Sequence, residues 1–181
     1  MSPCTVLAQR RGGHGTSAGR PSAGGSNTDD LKDFKRALAL QASPDQMKQF
    51  NKLTRSTQAA RQGAHDLGQL AGNTSKPDLF RNTSPLTSAL QEAEADNEKF
   101  VQSFSEAQKS GLKDATKKLK KSHSDLTKQS KALTRGLERP GIDGKQIVNA
   151  AEKLDKALAD FQTKQLAIGH QMGIQSEESL K

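Results

Sequence analysis

The sequence predicts an all-α protein of elongated antiparallel helical hairpins, or a bundle with coiled-coil-like seams, behind a disordered N-terminal tail. Large apolar residues are few, at 19 Leu, 4 Ile, 3 Val and 6 Phe, and Trp and Tyr are absent. The apolar residues are nevertheless periodic, and 21 alanines favour helix. Four leucines recur at intervals of seven, the spacing of one helical stripe that packs on a partner helix: Leu112, Leu119, Leu126 and Leu133.

We expect one helical domain over residues 28–175, with a disordered tail at 1–27 and a frayed C-terminus at 176–181. The tail is rich in Gly, Ser and Arg, which is linker composition. Residues 1–8 resemble the end of a secretory signal that has lost its basic and apolar regions, with cleavage after Ala8. A truncated signal predicts a periplasmic or secreted protein; an ordinary disordered terminus predicts a cytoplasmic one.

Two helices are predicted before residue 74. The first begins near Thr28 and ends near Ala42, with Leu31, Phe34 and Leu38 on one face. The second begins at Ser43, because Ser at the N-cap, Pro at the first helical position and Gln three residues after the cap form a capping box. Its seam is narrow and rich in alanine: Phe50, Leu53, Thr57, Ala60, Ala64, Leu67 and Ala71.

The second half predicts a long helical hairpin. Residues 74–83 form a loop in which Leu79 and Phe80 hold the connection to the bundle. One bent helix is then expected from Pro85 to Glu138, ended by Pro140 and Gly141. The last helix starts near Asp143 and has the cleanest heptad pattern in the chain: Ile147, Ala151, Leu154, Leu158, Phe161, Gln165, Ile168 and Met172.

The chain is basic, with a formal net charge of +8 and a pI near 9.7. This charge is compatible with acidic partners such as nucleic acid, although a solvated lysine-rich helix face has the same composition. Arginine forks and stacking aromatic residues are missing from the lysine-rich region 109–131. A protein-facing or soluble surface is therefore favoured for its exposed ridge: Lys113, Lys117, Lys120, Lys121 and Lys128.

No pattern predicts catalysis, a cofactor or a metal. The four histidines, His14, His65, His123 and His170, lack the spacing that brings two ligands to one metal. The single cysteine, Cys4, leaves no intrachain disulfide. No apolar run approaches the length of a transmembrane helix.

Two similar segments carry a family resemblance. Ser43 and Gln46 follow Leu40, and Ser105 and Gln108 follow Phe104, and the two glutamines are 62 positions apart. The pair resembles the repeated LTxxQ motif of the Spy/CpxP family of small periplasmic helical proteins. The same Ser-x-x-Gln pattern also occurs in any capping box. The second copy is thus open to two interpretations, a helix start or four ordinary residues at a bend.

The resemblance implies an all-helical, chaperone-like or envelope-stress protein that binds unfolded clients and is often a dimer. From the sequence we accordingly expect a non-enzymatic protein that binds other proteins. Two alternatives stay open. One is a structural coiled-coil module for self-association, and the other is polyanion binding through the lysine-rich helix.

Overall fold

The computed structural model describes residues 26–73 and 83–174, and within these ranges the protein is all-α. The signal-like residues 1–8, most of the tail, Leu79 and Phe80, and residues 175–181 lie outside them. The described residues contain six helices, in order: α1 Ser26–Leu40, α2 Pro44–Asn73, α3 Ser84–Gln102, α4 Glu106–Gly111, α5 Lys113–Glu138 and α6 Gly144–Gln171.

The four long helices form an up-down-up-down bundle in which α2, α3, α5 and α6 alternate in direction. The start of α2 lies beside the end of α6, where Phe50 faces Gly169, and its end lies beside the start of α6, where Gly72 faces Val148. Helices α2 and α3 are likewise antiparallel, as are α5 and α6. The predicted antiparallel hairpin at the C-terminus is therefore confirmed.

Helix α6 lies between α2 and α5 and packs extensively on both. All eight of its predicted heptad positions are buried, and so is the complete predicted seam of α2. The heptad stripe of α5 is buried as well, with Leu112, Leu119, Leu126 and Leu133 at most 4% exposed. Because α6 covers this stripe, the chain itself supplies the partner helix that the leucine spacing requires.

The expectation of one bent helix from Pro85 to Glu138 is wrong, because this region contains three helices. Helix α3 ends at Gln102, and Ser105 starts α4 in extended conformation with ψ of 165°. A second, smaller break at Leu112 separates α4 from α5. Hydrogen bonds from Ser105 and Gln108 satisfy the backbone groups that the interruption exposes, so a separate helix start is stable here.

Helix α1 lies outside the bundle and packs mainly against α4. Residues 28–39 are all exposed, whereas Leu40 is buried against Gly111. The face that an amphipathic helix normally buries is thus uncovered, with Leu31 and Leu38 each 52% exposed and Phe34 60% exposed.

Candidate protein-binding site

Both Ser-x-x-Gln segments start a helix with a complete capping box. The Ser43 amide donates to Gln46 Oε1 at 2.9 Å, and the Gln46 amide donates to Ser43 Oγ at 3.2 Å. The corresponding distances for Ser105 and Gln108 are also 2.9 and 3.2 Å. The second segment is therefore a helix start, which decides between the two interpretations left open by the sequence.

The two motif glutamines also bind each other. Gln46 Nε2 donates to Gln108 Oε1 at 2.8 Å, and Gln108 Nε2 donates to Gln46 Oε1 at 3.0 Å. Each side-chain amide also binds the segment before the other motif. Gln46 Nε2 donates to the backbone carbonyl of Ser103, and Gln108 Nε2 donates to the backbone carbonyl of Gln41. Both side chains are buried. The two glutamines consequently lock two helix junctions together and offer no surface to a partner, whereas Ser43 and Ser105 are exposed.

An open groove runs between α3 and α5, the neighbouring pair of bundle helices with the least direct packing. It contains two cavities of about 680 and 520 Å³. The larger cavity lies at the end of the groove beside the connection between α5 and α6, and its apolar lining includes Leu86, Leu90, Leu133, Leu137 and Ile142. The smaller cavity lies at the opposite end, and its apolar lining is Ala95, Val101 and Leu119. A groove of this size can accept several apolar side chains of a ligand.

The two walls of the groove differ in charge along most of their length. The α3 wall contributes Glu94 and Glu98, whereas the α5 wall contributes Lys120 and Lys131 and ends with Glu138, which is followed by Arg139. His123 Nε2 lies 3.7 Å from Glu94 Oε1 and spans the groove at this point. The apolar floor is therefore bordered by an acidic and a basic rim, which can orient a ligand of mixed charge.

The predicted lysine ridge is exposed on α5. Lys120 lines the groove, whereas Lys113, Lys117, Lys121 and Lys128 do not. Lys128 lies 3.9 Å from Asp125, an exposed pair of little energetic weight. Of the five ridge lysines, Lys120 is therefore placed to contact a ligand in the groove, and the other four lie outside it.

One carboxyl group beside the ridge, that of Asp160, has a lowered pKa. The Ser122 hydroxyl donates to Asp160 Oδ2 at 2.6 Å and is the main cause that lowers the Asp160 pKa below its ordinary value. Partial burial opposes this shift, and Lys164, at 3.4 Å, adds to it. Asp160 joins α6 to α5, so this interaction stabilises the hairpin.

Elsewhere in residues 26–73 and 83–174, no three His, Cys, Asp or Glu side chains come together as metal ligands would. Across the same ranges, none of the helices combines the length and apolar character that crossing a bilayer would take.

Three features of the site were missing from the sequence predictions: the glutamine pair, the groove and the uncovered face of α1. The repeated Ser-x-x-Gln was a usable signal for the first, because two equivalent buried amides can satisfy each other. The acidic residues of α3 and the lysines of α5 were a weaker signal for the groove, since charges at that density also occur on ordinary solvated faces.

The chain matches no protein-family model, and comparison with curated proteins and with solved structures yields no significant match.

Proposed function

We propose that this protein is a non-enzymatic helical protein that holds apolar segments of other proteins, as a chaperone-like or envelope-stress factor in the periplasm or after secretion. The observation that carries this proposal is the open groove between α3 and α5. A groove with an apolar floor and charged rims suits an amphipathic segment, which buries its apolar side chains and pairs its charges at the rim.

The Ser-x-x-Gln pair supports the same proposal through its resemblance to the Spy/CpxP family. Two capping boxes joined by reciprocal glutamine bonds are a specific arrangement of residues separated by 62 positions. We infer from this geometry that the two segments act as one paired motif. Its role in this chain is to fix the helix junctions at one end of the bundle, which keeps the walls of the groove in place.

The test uses an unfolded protein as client. Aggregation of a chemically unfolded test protein is followed by light scattering after dilution into buffer with or without this protein. Wild type at stoichiometric excess is expected to suppress scattering. Ala95→Arg places a long charged side chain at an exposed position inside the groove and should lose most of this protection.

Ala132→Arg is the matched control, because Ala132 is also exposed but lies on α5 outside the groove. It should protect as well as wild type, and circular dichroism should show equal helicity for all three proteins. Unchanged aggregation with wild type, or equal protection by the two variants, would refute the groove as the client site.

The proposed export is tested separately in cells that express the protein from its natural locus. The mature protein is expected in the periplasmic or secreted fraction, with Gln9 as its first residue after cleavage behind Ala8. Recovery from the cytoplasm with residues 1–8 attached would contradict export.

Polyanion binding is a second candidate, supported by the exposure of Lys113, Lys117, Lys121 and Lys128 on α5. It requires that affinity for a generic duplex DNA falls steeply as salt is raised, because bound lysines release counterions. Absence of salt-dependent binding would exclude this candidate and leave the groove proposal intact.

A further inference from the structure

We propose that, in the free protein, helix α1 of a second copy covers the groove between α3 and α5. This inference rests on the proposed function, since it names the resident occupant of the same groove. A client would then have to displace α1 of the partner. Reciprocal docking closes the assembly as a two-fold dimer, in which each copy supplies one helix and one groove.

Helix α1 has the properties of a docking helix. Leu31, Phe34 and Leu38 stand at positions i, i+3 and i+7 and are each more than half exposed. The spacing is that of anchor residues in helix-in-groove recognition. A helix of 15 residues is also only marginally stable in water without a packing partner. Covering this face would remove from solvent the three most exposed large apolar side chains of the described residues.

The dimensions of helix and groove agree. At the rise of an α-helix, α1 is about 22 Å long and α3, which forms one wall, is about 28 Å long. The larger cavity of about 680 Å³ can receive anchor side chains of Leu and Phe size. The whole apolar stripe of α1 is therefore short enough to lie along this wall, where it would displace the contact between His123 and Glu94 that spans the groove.

The charges on the two sides of α1 are complementary to those on the two walls of the groove. At 100° per residue, Lys35 lies directly beside the apolar stripe of α1 on one side and Asp30 lies directly beside it on the other, while Lys32 and Asp33 lie farther round on the same two sides. One orientation of α1 places its basic flank along Glu94 and Glu98 of α3 and its acidic flank along the lysines of α5. The reverse orientation would bring like charges together, so the rims favour a single direction of docking.

The junction behind α1 favours a second copy over the chain's own groove. The carbonyls of Leu40 and Gln41 accept hydrogen bonds from Gln108 Nε2 at 3.4 and 3.2 Å. The Ala42 amide donates to the Met172 carbonyl at 3.0 Å. Leu40 is buried against Gly111. These contacts hold both ends of the short connection to α2, so α1 cannot swing around the bundle without breaking them.

Intermolecular crosslinking tests the contact directly. Every chain is full length and carries Cys4→Ser. A chain with Phe34→Cys is mixed with a chain with Ala95→Cys, and the mixture is oxidised. In the control mixture, a chain with Ala132→Cys takes the place of the chain with Ala95→Cys. A disulfide dimer between the Phe34→Cys and Ala95→Cys chains is expected, in clear excess over the dimer with the control. Dominant pairing of two Phe34→Cys chains, or no excess over the control, would overturn the proposal.

Sedimentation separates this inference from the proposed function. Wild type is expected to dimerise with rising concentration, whereas the triple variant Leu31→Gln, Phe34→Gln and Leu38→Gln should stay monomeric. Leu70→Gln, at a leucine of α2 that is 38% exposed, should dimerise like wild type. A monomeric wild type, or a triple variant that still dimerises, would refute α1 docking.

Client protection in the same variants distinguishes the two failures. The monomeric triple variant has a free groove and should suppress aggregation at least as well as wild type at equal chain concentration. If the triple variant dimerises as wild type does, and Ala95→Arg still loses client protection, only the docking inference fails. If crosslinking succeeds while no variant or wild type protects a client, the client function fails and the dimer stands.

Discussion

Gln46 and Gln108 hydrogen-bond to each other in both directions through their side-chain amides, at 2.8 and 3.0 Å. Each oxygen also accepts the amide of the serine in its own capping box. Each nitrogen donates to a backbone carbonyl near the other motif. Because both amides are buried and have partners at oxygen and nitrogen, replacing either one leaves the other incompletely bonded.

Gln108→Leu should therefore lower the free energy of unfolding by about 1–3 kcal/mol, the usual cost of a buried polar group that loses its partner. Urea unfolding at 25 °C measures this change. Gln69→Leu, at an exposed glutamine of α2, is the matched control and should change stability by no more than about 0.5 kcal/mol.

A double-mutant cycle tests the coupling of the pair. With Gln46→Leu and Gln108→Leu combined, the loss should be smaller than the sum of the two single losses, by about 0.5–3 kcal/mol. The reason is that the double variant leaves no glutamine amide without its partner. Strict additivity would mean that the reciprocal bond contributes nothing beyond the separate capping boxes.

Gly169 in α6 allows the close packing of Phe50, which is itself buried against Phe100 at a ring distance of 5.3 Å. A methyl group at position 169 would overlap the Phe50 ring. Gly169→Ala should therefore destabilise the protein by about 1–3 kcal/mol in thermal or urea unfolding. Phe50→Leu in the same background should recover part of the loss, because it removes the overlapping atoms.

Gly68→Ala provides the contrast, since its added methyl group would lie 3.7 Å from Ala151 in ordinary contact. The higher helix propensity of Ala should raise stability by up to about 1 kcal/mol. If both alanine variants shift the unfolding midpoint in the same direction, close packing at Gly169 is not the deciding factor.

The Ser122 hydroxyl bond to Asp160 predicts a pH dependence. The pKa of Asp160 is lowered in the folded protein, so its stabilising contribution is present above the ordinary Asp pKa of about 3.9 and is lost as pH falls through the lower folded value. Ser122→Ala should raise the Asp160 pKa in a carbon-detected NMR titration. Its stability deficit should be larger at neutral pH than in acid, and a deficit that grows on acidification would contradict this account.

Substitutions at Lys120 and Lys128 distinguish the effect of a charge at the groove from the effect of the protein's overall basic charge. Both are exposed on α5, but only Lys120 lines the groove. Lys120→Gln should slow association with a client of net negative charge, measured by stopped-flow fluorescence at low salt, because it removes charge from the rim. Lys128→Gln should have a much smaller effect; equal slowing by both would point to the overall field of the protein.

Much of the fold could be predicted because its signals are local and repeated. The seam of α2 and the heptad positions of α6 were predicted residue by residue, since a stripe at helical spacing has to be buried somewhere. The break between α3 and α4 was not, because Ser105-Glu106-Ala107-Gln108 is compatible with both a helix interior and a capping box. In the structure the distant Gln46 hydrogen-bonds to the side chain of Gln108 at this helix start, a contact that the local sequence does not reveal.

The sequence by itself determined the helical class, the antiparallel hairpin at the C-terminus and the faces that α2, α5 and α6 bury, because apolar periodicity and capping residues act over a few turns. Only the tertiary structure decided that α3 and α5 leave a groove with charged rims, that α1 keeps its apolar face outside the bundle, and that two glutamines 62 residues apart bind each other. These features depend on the distances between helices, which are set by the packing of all four bundle helices at once.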